Sequence, residues 1–188
     1  MEISWTAGPV LALAVLLGVA GVVKLGRPAS AITALTAAKL PAPEIGVRAL
    51  GLVEVGIAIA LVTVGSAFTA LFLAIVYAGF ALFMLRLVRL ADATVSCGCF
   101  GEVDAPASMV HVVVNAIAAS IALAGVAVPP GPVVEILSSD VVEGGWFLLL
   151  VVLLATVVYA ALALLPELLD AIGVAVDDSG RAANRRPS

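Results

Sequence analysis

Two stretches of this chain run nineteen residues without a charge: 67–85, and 147–165, where Thr156 and Tyr159 are the only polar breaks. About 20 consecutive apolar residues span a bilayer as a helix, because in lipid every backbone N–H and C=O must be satisfied within the segment. The other spanning architecture, a closed barrel, requires a strict alternation of apolar and polar residues that is missing here. Composition agrees. Apolar residues make up 63% and charged residues 12%, against roughly 45–50% and about 25% in soluble domains. The expected fold class is therefore all-α, a polytopic transmembrane helical bundle. The net charge of −4 comes with no basic patch, so no nucleic-acid partner is expected; the bilayer is the first partner.

The order of the spans follows from the breaks between runs. Ala7 to Val23 has only Glu2 before it, lacks a basic n-region and shows no cleavage site leading into soluble sequence, so it reads as a retained span. Pro28 suits a first helical turn and Pro41 a stop. The piece between them, Ala29 to Leu40, reaches only about 18 Å and is expected to lie at the interface or against the bundle. From Ala49 to Leu85 the only charge is Glu54. That length makes about 55 Å of helix, nearly twice the hydrocarbon thickness, so it must fold back, and Gly65-Ser66 is the best hinge. Met109–Val128 and Gly145–Leu165 complete a set of four to five spans plus one short interfacial helix. The transmembrane domain is assigned to 1–176, and 177–188, polar and without apolar period, to an unstructured tail.

Charge sets the expected orientation. All nine basic residues (Lys24, Arg27, Lys39, Arg48, Arg86, Arg89, Arg181, Arg185 and Arg186) fall in segments on one side, while Glu135, Asp140 and Glu143 fall in the loop on the other. The positive-inside rule then places the N-terminus outside and the C-terminus in the cytoplasm of a plasma-membrane protein, with Trp5 and Trp146 at the outer interface. It also places Cys97 and Cys99 on the cytoplasmic side.

Those two cysteines are the only ones, and both sit in Cys97-Gly98-Cys99-Phe100-Gly101, a break between apolar runs. Three readings stand open. A disulfide there closes so short a loop that it stabilises by about 1.6 kcal/mol before strain, against about 3 for a 15-residue loop, and a poor staple is often a good exchanger. A metal site lacks ligands, since His111 is the only histidine and four donors are normally wanted; neither metal nor cofactor is expected. The third reading is two small apolar residues in a glycine turn. Gly98 and Gly101 permit positive φ, and Asp104 with Pro106 can start the next span. Whether that helix dipole lowers a thiol pKa against Asp92, Glu102 and Asp104 is left open by sequence.

Further polar residues lie within the spans. Ser108, His111 and Asn115 share one helix face. His111 is a candidate acceptor for a thiol proton; the plainer reading is a histidine hydrogen-bonded to Asn115 or headgroups. Glu54, costing roughly 2.5–3.5 kcal/mol at the bilayer centre, is expected to face the bundle and pair with Lys24 or Arg86, a structural ion pair before a proton carrier.

Gly21 and Lys24 at the end of the first span, the short helix and Pro-containing linker, Glu54 and Gly56 in the second span, and Cys-Gly-Cys-Phe-Gly before the fourth together resemble the MauE family within the DoxX-like superfamily, over about residues 8 to 165. Asn115 matches the family's Arg-Asn pair in the span after the cysteines, while Val114 stands where the arginine is expected. The resemblance implies a multi-pass accessory protein in methylamine utilisation that helps mature the disulfide-rich small subunit of methylamine dehydrogenase. Outside that pathway it implies a thiol-redox helper working with a thioredoxin-like or envelope thiol protein, hence a possible thiol–disulfide oxidoreductase. An envelope target and cytoplasmic cysteines are reconciled if the loop folds into the bundle and relays electrons across it. The rival reading is a non-enzymatic membrane scaffold or maturation subunit whose cysteines shape a turn.

Overall fold

A computed structural model describes residues 4–90, 95–98, 106–139 and 141–184, with side chains excepted at 139 and 165–184. Among them are seven helices: α1 Ala7–Gly26, α2 Ala29–Ala37, α3 Glu44–Val64, α4 Ala67–Leu90, α5 Met109–Ala127, α6 Val133–Ser139 and α7 Val141–Asn184. Five segments are long and apolar enough to cross a membrane: α1, α3, α4, α5 and Val141–Leu164 of α7. The protein is a multi-pass helical bundle.

Local chemistry explains the boundaries. The 37-residue run turns back where Gly65 closes α3 in the left-handed conformation, its N–H returning to Leu61 O, and α4 starts at Ala67. α2 stops at Ala37, earlier than the Leu40 read from Pro41: Ala38 N–H returns to Ala34 O and Lys39 takes a positive φ of 55°. α6 lies in the acidic loop, following Pro129, Pro130 and Pro132; a seven-residue helix carries too few periods to be seen in sequence. α5 begins one turn later than Asp104-Pro106 implies, with Ser108 as its extended N-cap residue; Asp104 lies outside the described residues. The backbone of α7 continues through 177–184, part of the segment assigned by composition to the tail.

α1 is the central helix. Its apolar window is 56% buried, against 11% for that of α7, which therefore lies at the periphery of the bundle. Leu11 and Leu17 of α1 pack with Leu61, Leu73, Tyr77, Ala118 and Ala122 in the main core. Large apolar side chains such as Phe72, Ile75, Leu150 and Leu153 point outward, as they do when the surrounding solvent is lipid. At one end of the bundle Thr6 donates to Val128 O (2.7 Å) and Gly131 N–H to Gly65 O (3.0 Å). At the other end a second, smaller core gathers Ala34, Ala38, Met84, Leu87 and Cys97. The chemistry-bearing residues collect there.

Candidate functional site at the Cys97 end of the bundle

Helices α1 and α3 cross in near backbone contact. A Cβ on Gly21 would lie 2.7 Å from Gly51 O, and one on Gly51 equally close to Gly21 O, so neither position accepts a side chain without separating the helices. Lys24, one turn beyond Gly21, thereby reaches Glu54, one turn beyond Gly51. Their Nζ and Oε2 atoms are 2.9 Å apart, with Glu54 fully buried and Lys24 5% exposed. The ammonium also lies 5.4 Å from the centroid of Phe80 on α4, a cation–π distance. Among the described residues the second carboxylate oxygen, Oε1, has no hydrogen-bond partner.

Two arginines at this end serve helix termini. Arg86, the other cation weighed for Glu54, instead donates through Nε to Ala38 O (2.7 Å), just past the end of α2. Arg48 donates to Leu25 O (2.7 Å) near the end of α1 and pairs with Glu44 at 2.9 Å. A cation on the unpaired carbonyls of a helix C-terminus is favourable through both the hydrogen bond and the helix dipole.

The cysteine segment closes on itself before α5. Ser96 bridges antiparallel to Pro106, and Ala107 N–H donates to Val95 O (2.8 Å). Gly98 has a φ of +70° and lies so tightly on α2 that a Cβ would stand 2.9 Å from Ala34 Cβ and 3.0 Å from Ala31 Cα. Its N–H donates to Ser96 Oγ (3.1 Å). The residue is thus glycine both for its conformation and for its contact. Pinning Gly98 presses Cys97 into the small core, where it is 3% exposed. Cys99, Phe100 and Gly101 lie outside the described residues.

Cys97 and Lys24 line one cavity of about 210 Å³, which Ala31, Ala34 and Leu35 of α2, Leu50 of α3, and Phe80 and Phe83 of α4 enclose. His111 does not share it. His111, 2% exposed, lines a separate cavity of about 30 Å³ with Tyr77, Phe80 and Asn115, so Phe80 belongs to both walls. Ser108 Oγ is 3.1 Å from His111 Nδ1, and Asn115 Nδ2 donates to His111 O at 2.7 Å. The three residues of the shared face are indeed joined, but through the histidine's carbonyl as much as its ring.

Phe80, Phe83 and the α2 alanines are site residues that sequence reasoning passed over. A signal existed: Ala31, Ala34 and Ala38 recur at three and four residues, the spacing of one small-residue face. In a chain so rich in alanine it does not stand out. No group of three or more His, Cys, Asp or Glu able to hold a metal occurs among the described residues.

No curated protein and no solved structure matches this chain. The family model described as methylamine utilisation protein MauE matches residues 3–128, a stretch that holds the Gly21–Gly51 crossing, the Lys24–Glu54 pair, the cysteine segment and α5. This multi-pass membrane protein belongs to the MauE family.

Proposed function

We propose that the protein is an integral membrane accessory of methylamine utilisation that acts in thiol–disulfide redox and maturation of envelope proteins through Cys97 and Cys99. The observation that carries this reading is the placement of Cys97. It is held by a glycine turn inside the bundle, on the wall of a cavity it shares with a buried lysine. A thiol in so defined a setting suits selective exchange better than one on an open loop.

The chemistry balances between two cysteine pairs. A thiolate of the Cys97/Cys99 pair attacks one sulfur of a partner's disulfide and a mixed disulfide forms. The second thiol then closes the Cys97–Cys99 bond and releases the partner as a dithiol. Run in reverse, the same steps oxidise the partner. A thioredoxin-like or envelope thiol protein, such as the methylamine dehydrogenase small subunit, fits the role. His111 lines the adjoining cavity rather than this one, so the pair needs another proton acceptor in the first step.

One observation favours the second reading, a scaffold or maturation subunit with structural cysteines: Cys97 packs with Met84 and Leu87 as an ordinary apolar residue would. Thiol trapping of the intact protein across a graded dithiothreitol poise separates the two. A redox pair shifts between two mass-tagged forms at a potential above about −300 mV, the limit below which structural disulfides fall. Cys97→Ser and Cys99→Ser then accumulate a mixed disulfide with the partner. A pair that never changes form supports the scaffold.

A further inference from the structure

We propose that the small cavity lined by α1, α4, α5 and α7 is the binding site of a resident water, held between His111 Nε2 and Asn115 Oδ1. Hydrogen bonding is the first argument. The side chains of these two residues bond through His111 Nδ1, to Ser108 Oγ, and through Asn115 Nδ2, to His111 O. That leaves His111 Nε2 and Asn115 Oδ1 without a hydrogen bond among the described residues. Yet the only buried side-chain nitrogen or oxygen there that is both unpaired and out of reach of a water-sized sphere is Glu54 Oε1. Nε2 and Oδ1 therefore each keep a face that a water can touch. With His111 2% and Asn115 7% exposed, almost none of either meets the outside, and the space that both of them line is this cavity.

Size is the second argument. The cavity measures about 30 Å³; about 10–15 Å³ is enough for a water, whereas a cavity of about 150 Å³ goes with benzene. A lipid tail or an aromatic ring is thereby excluded. A small cation is disfavoured too, since no carboxylate stands on the lining among the described residues and an unpaired charge is costly to bury. Water matches the groups present. An amide oxygen only accepts, so the water donates to Oδ1; Nε2 donates or accepts according to the tautomer, and water answers either. Two such partners suffice for a buried water, where a wholly apolar cavity stays dry. Without it each of the two atoms forfeits the hydrogen bond it makes in the unfolded chain. The water thus gives the single histidine of the chain a partner able to carry a proton, inside walls that are otherwise aliphatic and aromatic. None of this depends on whether the thiols cycle.

The test uses the full chain, purified on a histidine-free tag and reconstituted in phosphatidylcholine bilayers, with nitrogen-15 in the imidazole. Because His111 is the only histidine, the solid-state NMR spectrum reports a single ring. Magnetisation is passed from water protons to the ring nitrogens. The expected result is prompt transfer to Nε2 in the wild type and its loss in Ala118→Val, which fills the cavity from the same helix, while the Nδ1 signal beside Ser108 stays in place. Val114→Leu fills the cavity from a half-buried position and should give the same loss where Ala118→Val fails to accumulate. The wild-type spectrum alone decides whether the ring is wet, and the variants decide where the water sits. Absence of prompt transfer to Nε2 in the wild type would show a dry cavity and overturn the proposal. So would transfer that persists unchanged in a filled variant, since the water would then reach the ring by another face.

Discussion

Lys24 Nζ and Glu54 Oε2 meet at 2.9 Å inside the bundle because Gly21 and Gly51, one turn before each, let α1 and α3 touch. The glycine and lysine of Gly21-x-x-Lys24 thus form one structural unit with Gly51 and Glu54: two residues for the crossing and two for the charge pair. Gly56, by contrast, has no neighbouring atom within 4 Å of a Cβ built on it and plays no part in the crossing.

Breaking this pair is expected to cost more than deleting it. Lys24→Met leaves a buried carboxylate unpaired and should lower stability by about 3–5 kcal/mol, whereas Lys24→Met with Glu54→Leu should recover most of the loss. Glu54→Gln keeps an acceptor for the ammonium and should be milder, and Glu54→Lys should abolish accumulation in the membrane. Denaturation of the detergent-extracted protein by a graded denaturing detergent measures the first three, and immunoblotting of membranes the fourth. Wild-type accumulation of Glu54→Lys would show that the position faces water.

The crossing itself can be tested without touching a charge. Gly51→Val places a branched side chain where a single Cβ already stands 2.7 Å from the Gly21 carbonyl. Overpacking of this kind typically costs about 1–3 kcal/mol. Because it separates Lys24 from Glu54 as well, the loss should exceed that range and approach the cost of Lys24→Met. A loss under about 1 kcal/mol would mean that the helices do not approach as described.

Gly98→Ala is expected to loosen the cysteine segment. It forces a residue with a Cβ into a φ of +70°, at about 1–2 kcal/mol, and drives that Cβ against Ala34. Cys97 should then react faster with a small maleimide in the reduced protein. Ala34→Gly, which removes the opposing methyl, should restore part of the slow labelling. Equal rates in wild type and Gly98→Ala would sever the link between the glycine and the burial of the thiol.

Orientation is read from charge, and it is open to a direct assay. With all nine basic residues in one set of segments, a C-terminal fluorescent-protein fusion should glow and an alkaline phosphatase fusion at the same point should be inactive, as for a cytoplasmic tail. The opposite pair of results would turn the molecule over and put the cysteine segment on the envelope side.

Chain composition and run length alone determine that this protein is a bundle of membrane-crossing helices, because only helices and closed barrels satisfy the backbone in lipid and these nineteen-residue runs lack the alternation of a barrel. The fold-back at Gly65 is legible for the same reason: a single helix over 49–85 is too long for the bilayer. That Glu54 turns inward toward a cation is equally legible, since an unpaired carboxylate in lipid is costly. Which cation it meets was decided only in three dimensions. Lys24 and Arg86 both end spans at that depth, and the choice rests on an α1–α3 crossing between Gly21 and Gly51 that no periodicity announces, while Arg86 goes to the end of α2. The same holds for the thiol. Its glycine turn can be read in the sequence, but its seat against Ala31 and Ala34, its cavity with Lys24, and the ring of Phe80 between that cavity and His111 depend on contacts between segments tens of residues apart. Spacing along one helix places residues on a face; only packing between helices says what that face meets.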